Sequence, residues 1–171
     1  MNDMNKYTLA VLVRNQFGVL NRVTSMFRRR QFNISALTVS ETESSDFSRI
    51  TVVFEGEEIY KQQLVNQLYK LPDVDSIKEF NVENSISCEL LLIKMRNDPE
   101  TREDIRAAAN AFGAVTVDYS KDSLMFRLTD DSIKIDDFIN LMRDYKILEI
   151  CRTGSVSLEK GSTTIRQTIN F

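Results

Sequence analysis

YTLAVLVRNQFGVLNRVTSMFRRRQFNISALTVS, residues 7–40, holds a strand, a polar loop, a helix and a second strand in that order. Tyr7 to Val13 is rich in Leu and Val, which suits a strand covered by helices on one face. Arg14, Asn15 and Gln16 interrupt that run, and Gly18 opens the next segment. From Val19 onward, Leu20, Val23, Met26 and Phe27 keep the spacing of one helical face. Arg28, Arg29 and Arg30 load the last turn with positive charge, where the helix dipole favours it. Asn33 and Ile34 then lead into Leu37, Val39 and another strand. The loop delivers Asn15 and Gly18 to a helix N-terminus, and Asn33 returns on the strand after the helix.

That placement has a chemical use. The first backbone N–H groups of a helix lack partners within it, so they can hold a carboxylate. Gly18 lets the backbone approach a ligand without a Cβ in the way. An Asn carbonyl oxygen can accept hydrogen bonds from an ammonium group. Together these parts suit the head group of a free amino acid. Gly also starts many turns and Asn serves at caps and loops, so the spacing alone leaves both readings open.

Working outward, ETESSDFS is a polar turn, and Ser48 to Glu55 alternates, with Ile50, Val52 and Phe54 on one face. Leu64, Leu68 and Leu71 give a helix its apolar face, and Pro72 stops it. Val74 to Val82 supplies a closing strand, so the order is βαββαβ. Cys88 to Met95 begins a second round. Asn97, Asp98 and Pro99 form a helix entry, and Ile105, Ala108, Ala109 and Phe112 make one face ending at Gly113. Val115 to Tyr119 and Leu124 to Leu128 form a hairpin, Ile135 to Met142 a helix, and Ile147 to Val156 the last strand.

The polar run NVENS places a boundary near Asn84, giving domains of residues 1–84 and 85–171. The expected class is α+β, with two ferredoxin-like βαββαβ sandwiches in tandem. Strands such as LAVLV and LLLI carry apolar residues on both faces, so the sheet face away from the helices needs a cover. Pairing of two copies in a symmetric dimer would supply it, as would one domain covering the other; the symmetry rule favours the dimer.

Composition narrows the function. Residues 1–84 carry 10 basic and 11 acidic side chains and residues 85–171 carry 12 and 14, so neither half is a basic module for nucleic acid. No stretch approaches the roughly 20 apolar residues that span a bilayer, and the polar run Met1 to Tyr7 is not a secretory signal. Cys88 and Cys151 stand apart in apolar, strand-like runs and are expected as buried reduced thiols in a cytoplasmic protein, with a disulfide between them left open. The Asn33-Ile34-Ser35 sequon then has no glycosylation meaning. There is no histidine, which removes Ser-His-Asp and Cys-His pairs and the commonest metal ligand. No phosphate-binding glycine motif occurs among the 5 glycines. Asp130-Asp131 and Asp136-Asp137 read as loop and solvated helix positions. Arg28-Arg29-Arg30 could bind phosphate, but given the helix dipole it reads first as an exposed helix end or subunit contact. Arg49 and Arg152-Thr153-Gly154 read equally as partner contacts or turn chemistry.

The string AVLVRNQFGVLNRVTSMFRRRQFNISALTV closely resembles the N-terminal ACT domain of the small, regulatory subunit of acetohydroxyacid synthase (acetolactate synthase). Its pattern is N-x-x-G-V-L-x-R-V followed by F-x-x-R-x-F-N-I-x-x-L-T-V. SRITVVF at Ser48 to Phe54, QLYKLPDV at Gln67 to Val74 and EICRTGSVSL at Glu149 to Leu158 extend the resemblance to nearly the whole chain. Arg14, Phe17 and Pro72 depart from the pattern.

The resemblance implies an ACT domain followed by an ACT-like domain, without catalysis of its own. It implies a large catalytic subunit as partner, activation of that subunit, and feedback inhibition by valine or a related branched-chain amino acid. Thiamine diphosphate, magnesium and FAD would belong to the partner. Asn15, Gly18 and Asn33 match effector-binding positions, with Val19, Leu20 and Ile34 adjoining, at an interface between ACT domains of a homodimer. A stand-alone amino-acid-sensing module that regulates another enzyme or a transcription factor is the alternative.

Overall fold

A computed structural model describes residues 5–167; residues 1–4, part of the polar start read above as no signal, and 168–171 lie outside the described residues. The first βαββαβ unit is β1 (Asn5–Arg14), α1 (Val19–Arg29), β2 (Ile34–Glu41), β3 (Phe47–Gly56), α2 (Glu58–Leu68) and β4 (Val74–Phe80). The second is β5 (Ser85–Arg96), α3 (Arg102–Phe112), β6 (Val115–Tyr119), β7 (Ser123–Asp130), α4 (Ser132–Met142) and β8 (Ile147–Arg152). A short β9 (Val156–Glu159) and a 3-10 turn (Ile165–Gln167) follow. The sheets run β2-β3-β1-β4 and β6-β7-β5-β8, antiparallel throughout, with β9 also pairing β5. This is the α+β, two-sandwich class expected from the sequence.

The first core forms because alternate residues of β1 and β3 meet the i, i+4, i+8 stripe of α1. Leu9, Val11, Val13, Ile50 and Val52 pack against Val19, Val23 and Phe27, and α2 adds Leu64 and Leu68. Phe54 lies edge-on to Phe27 and Phe32, with centroids 5.3 and 5.0 Å apart. Burying each such side chain contributes roughly 1.5–3 kcal/mol. The stripe that faces the sheet starts at Val19, so Leu20 turns outward and is 40% exposed, not part of the core face. Lys61 lies on the core side of α2, held by Glu58 and Glu79 at 2.7 Å each, with its Nζ 4.7 Å from the Tyr7 ring centroid. Burial works against its charge, and the hydrogen bonds it donates to Glu58 and Glu79 outweigh that, so its pKa lies above the usual lysine value.

The second core gathers Leu91, Ile93 and Met95, the β7 residues Leu124, Phe126 and Leu128, and the inner faces of α3 and α4. Gly113 ends α3 with φ 76°, a left-handed cap that glycine adopts without strain. Asp131, read as a loop position, caps α4 by accepting from the Lys134 N–H at 2.9 Å. The E-x-x-R-T-G segment proves to be an internal clamp. Arg152 donates Nε and Nη2 to both oxygens of Glu89 (2.5 and 3.0 Å) and Nη1 to Asp136 (2.7 Å). Ser132 donates to the same Glu89 carboxylate at 3.1 Å. These bonds raise the Arg152 pKa further above its usual range, Glu89 first among the causes.

Three expectations need correction. The last strand does not run unbroken to Val156: the Leu90 N–H donates to Thr153 Oγ1, Gly154 takes φ 77°, and the chain starts afresh as β9. Cys88 and Cys151 are exposed free thiols, not buried ones; Cys151 is registered opposite Leu92 on the sheet face away from the helices, as Leu92 alternates with core residues Leu91 and Ile93. Third, the two compact units are not 1–84 and 85–171. One takes the chain up to Ser87 together with the segment from Val156 onward, and the other is Cys88–Ser155.

The reason is the outer face of the first sheet. Ala10, Leu12 and Val53 point away from the helices yet are 0%, 2% and 3% exposed. The segment from Val156 lies over this face, with β9 against β4 and the 3-10 turn against β4 and β1. It is pinned by Arg49 to the Ser157 carbonyl, Lys78 to Glu159 at 2.8 Å, and Arg166 stacked 4.3 Å over Phe47. The chain's own tail lies where the sequence reading invoked a second copy or the other domain.

A chain ending at Ser155 should therefore melt its first unit at least ~4 °C lower, the shift expected for about 1 kcal/mol in a domain this size; an unchanged melting curve would mean the tail adds nothing to the outer face. Replacing Arg152 with Ala leaves the Glu89 carboxylate, 3% exposed, with Ser132 as its one side-chain partner among the described residues. Thermal or urea unfolding should show the second unit weakened by about 2–4 kcal/mol, near the range for breaking a buried pair, discounted for the partly exposed arginine.

Candidate functional site

The loop from Asn15 to Gly18 leaves the central strand β1 at the edge of the first core. Gly18 is the N-cap of α1 with φ 81°, a left-handed conformation that costs most side chains, and no side chain caps this helix. The Val19 N–H reaches the Gln16 carbonyl at 3.3 Å, while the N–H groups of Gly18, Leu20 and Asn21 have no acceptor among the described residues. A helix N-terminus with free N–H groups favours an anion.

Asn15 is fixed by the loop after β2. Its Nδ2 donates to Glu41 Oε1 (3.1 Å) and the Ser45 carbonyl (3.0 Å), and its backbone N–H to Asp46 (2.8 Å). Both amide hydrogens are engaged, so the carbonyl oxygen is what Asn15 offers to a ligand, the atom that suits an ammonium group.

The sequence reading missed two participants. Arg22 Nη1 lies 3.6 Å from where a Cβ on Gly18 would stand, and Asp73 holds its guanidinium at 2.7 and 2.9 Å. It adds a cation beside the anion-favouring helix end, one turn after Gly18 in the R of N-x-x-G-V-L-x-R. Glu41 orients Asn15 from another strand, a contact that no local spacing announces. Phe17 stands fully exposed at the loop tip.

Asn33 and Ile34 lie elsewhere in the chain. Arg14 and Glu41 are registered against Phe47 and Ser48, whereas Ile34 is registered against Phe54. Asn33 therefore sits at the opposite end of the sheet from Asn15 and Gly18, about 20 Å away at ordinary strand rise. Its segment is braced by Phe32, whose ring would lie 2.3 Å from a Cβ on Gly56 and so requires glycine there. Val19 is buried, Leu20 is exposed beside Gly18, and Ile34 is half-buried on the core face. One chain thus brings Asn15, Gly18, Val19 and Leu20 together, and leaves Asn33 and Ile34 apart.

Strand β2 is the open edge of its sheet, and Leu37 and Val39 on it are 37% and 42% exposed. No group of three or more His, Cys, Asp or Glu side chains suited to a metal occurs among the described residues. No helix among them is long and apolar enough to cross a membrane.

Two family models match the chain. One, an AHAS small subunit-like ACT domain, covers residues 9–76; the other, the small subunit of acetolactate synthase, covers residues 88–161. A probable acetolactate synthase small subunit of Archaeoglobus fulgidus is 45% identical over 157 residues, 92% of this chain and 98% of its own length. The acetolactate synthase small subunit of Bacillus subtilis is 39% identical over 159 residues, 92% of each chain. The crystal structure of the acetolactate synthase small subunit of Thermotoga maritima superposes with a TM-score of 0.85 at 32% identity, covering 93% of this chain and 99% of that one.

Proposed function

The chain belongs to the family of acetolactate synthase small subunits, and we propose that it binds the large catalytic subunit, raises its activity and confers feedback inhibition by valine or a related branched-chain amino acid. On this reading it has no catalysis of its own. Thiamine diphosphate, magnesium and FAD are assigned to the partner, and the complex to the cytoplasm.

The observation that carries the effector reading is the Asn15–Gly18 loop: unspent N–H groups beside Arg22 for a carboxylate, and an outward Asn15 oxygen for an ammonium group. The separation of Asn33 supports a site shared between two copies. If the open β2 edges of two copies pair antiparallel about a two-fold axis, the start of one β2 meets the end of the other. That brings Asn33 of a second copy to the end that carries Asn15 and Gly18. Burial of the exposed Leu37 and Val39 would favour the same pairing.

An effector held from both sides has a lever on the assembly. Moving the two copies separates its carboxylate contacts from its ammonium contacts, so it favours one arrangement over another; equal affinity for both would shift nothing.

Gly18→Asp places a carboxylate where that of the effector is received, at a left-handed position that Asp tolerates better than most residues. It should weaken valine inhibition about tenfold or more. Asn33→Ala removes a hydrogen bond to a charged group, worth roughly 1.5–3 kcal/mol. Both variants should still bind and activate the isolated large subunit, measured as synthase activity against valine concentration. Unchanged valine sensitivity in both variants would move the effector site elsewhere.

Leu37→Lys with Val39→Lys sets like charges across the paired edge. Sedimentation should find the wild-type chain as a dimer or larger at micromolar concentration and this variant as a monomer that has lost valine inhibition. A monomeric wild type would remove the shared site.

A further inference from the structure

A cavity of about 500 Å³ lies between the outer face of the first sheet and the tail that crosses it. It falls within the 300–1,000 Å³ span of ordinary small-molecule sites. It contains no residue of the Asn15–Gly18 loop, though Glu41, which holds Asn15, stands at its rim: Leu12 and Phe80 form its floor, Leu158 and Ile165 its roof, and Arg49, Lys78 and Arg166 reach into its lining.

The charges within it are unevenly satisfied. Lys78 is neutralised by Glu159 at 2.8 Å, and both are largely buried. Arg49 donates Nη2 to the Ser157 carbonyl and stacks 5.4 Å over Phe80, but meets no carboxylate among the described residues. Its other N–H groups have no acceptor among the described residues. Arg166 is likewise without a carboxylate and lies over Phe47. Burial pushes the Arg49 guanidinium below its usual pKa, as follows when a cation leaves water without a compensating anion. The acids of the lining other than Glu159 are Glu41 and Glu43, both exposed, with Glu41 occupied by Asn15. The lining is thus apolar around the half-buried Arg49, with Arg166, Glu41 and Glu43 exposed at its rim.

We propose that this cavity binds a small organic carboxylate with an apolar body, its carboxylate on Arg49 and Arg166 and its body on Leu12, Phe80 and Ile165. Guanidinium groups take carboxylates in two-pronged hydrogen bonds that are stronger than neutral ones. Because Arg49 lies on β3 and Arg166 in the tail, one carboxylate on both would tie the tail to the sheet. Such a site would lie within one copy, in contrast to the shared effector site, and does not depend on that reading.

The test is calorimetric titration of the full chain with 3-methylbutanoate, a branched carboxylate without an ammonium group. Saturable binding is expected, weakened about tenfold or more by Arg49→Gln and by Arg166→Gln, as loss of a charge-assisted hydrogen bond implies. Thr163→Trp, which fills the cavity from its rim, should weaken it too, and Gly18→Asp should leave it intact. If Arg49→Gln releases the tail, seen as an earlier melt, the exposed Arg166 decides. Valine titrated into the Gly18→Asp variant separates two sources of the carboxylate. Binding that depends on Arg166 assigns the cavity to an amino acid, with Glu41 and Glu43 on its ammonium; binding of 3-methylbutanoate alone assigns it to a plain carboxylic acid. No saturable binding of either probe, or binding untouched by both Arg166→Gln and Thr163→Trp, overturns the proposal.

Discussion

Strand β1 is hydrogen-bonded along both edges and buried on both faces, and the first domain follows from that. Pairing with β3 on one side and β4 on the other satisfies its backbone, so its ends are held in register by two neighbours. Leu9, Val11 and Val13 face the helices, and Ala10 and Leu12 face the tail. A strand so constrained gives the loop that leaves it a fixed starting point. Gly18 takes its left-handed turn from there, and the free N–H groups of α1 are aimed by a strand that cannot shift without breaking both pairings. Precision at the Asn15–Gly18 loop is inherited from burial some residues away.

Most of this organisation was legible in the residues themselves. The alternation in β3, the 19-23-27 stripe of α1 and the glycine after α3 each have a period or a dihedral requirement that shows in sequence. What could not be read was long-range. Leu20 fits an apolar helical face on spacing, and only the angle of α1 on the sheet turns it outward. Cys151 sits in an apolar run, and which face of β8 is covered is not a local property. The tail carries no pattern of its own, because its strand is four residues long and its hold depends on Arg49, Lys78 and Phe47, each far away in sequence.

The same division applies to the loop. Asn15 and Gly18 are close in sequence and in space, so spacing could pair them. Glu41 and Arg22 act through contacts set by the fold, and spacing was silent on both. Asn33 is joined to the other two by resemblance alone; the register of β2 on β3 sets it at the far end of the sheet. Arg152 is the converse. It looked equally like a partner contact, and the buried Glu89 on β5 turns it inward.

The path of the chain bears on how the molecule is made. Its first domain is interrupted: residues from Cys88 to Ser155 form a unit of their own before the segment from Val156 returns. On the ribosome, the sheet of β1 to β4 emerges early with its outer apolar face bare, and waits while the whole second unit is synthesised. Exposed apolar surface on a nascent domain invites association with other chains or with chaperones. Maturation of the first domain is thereby timed by completion of the second, and a subunit whose synthesis stops short is marked by an open sheet.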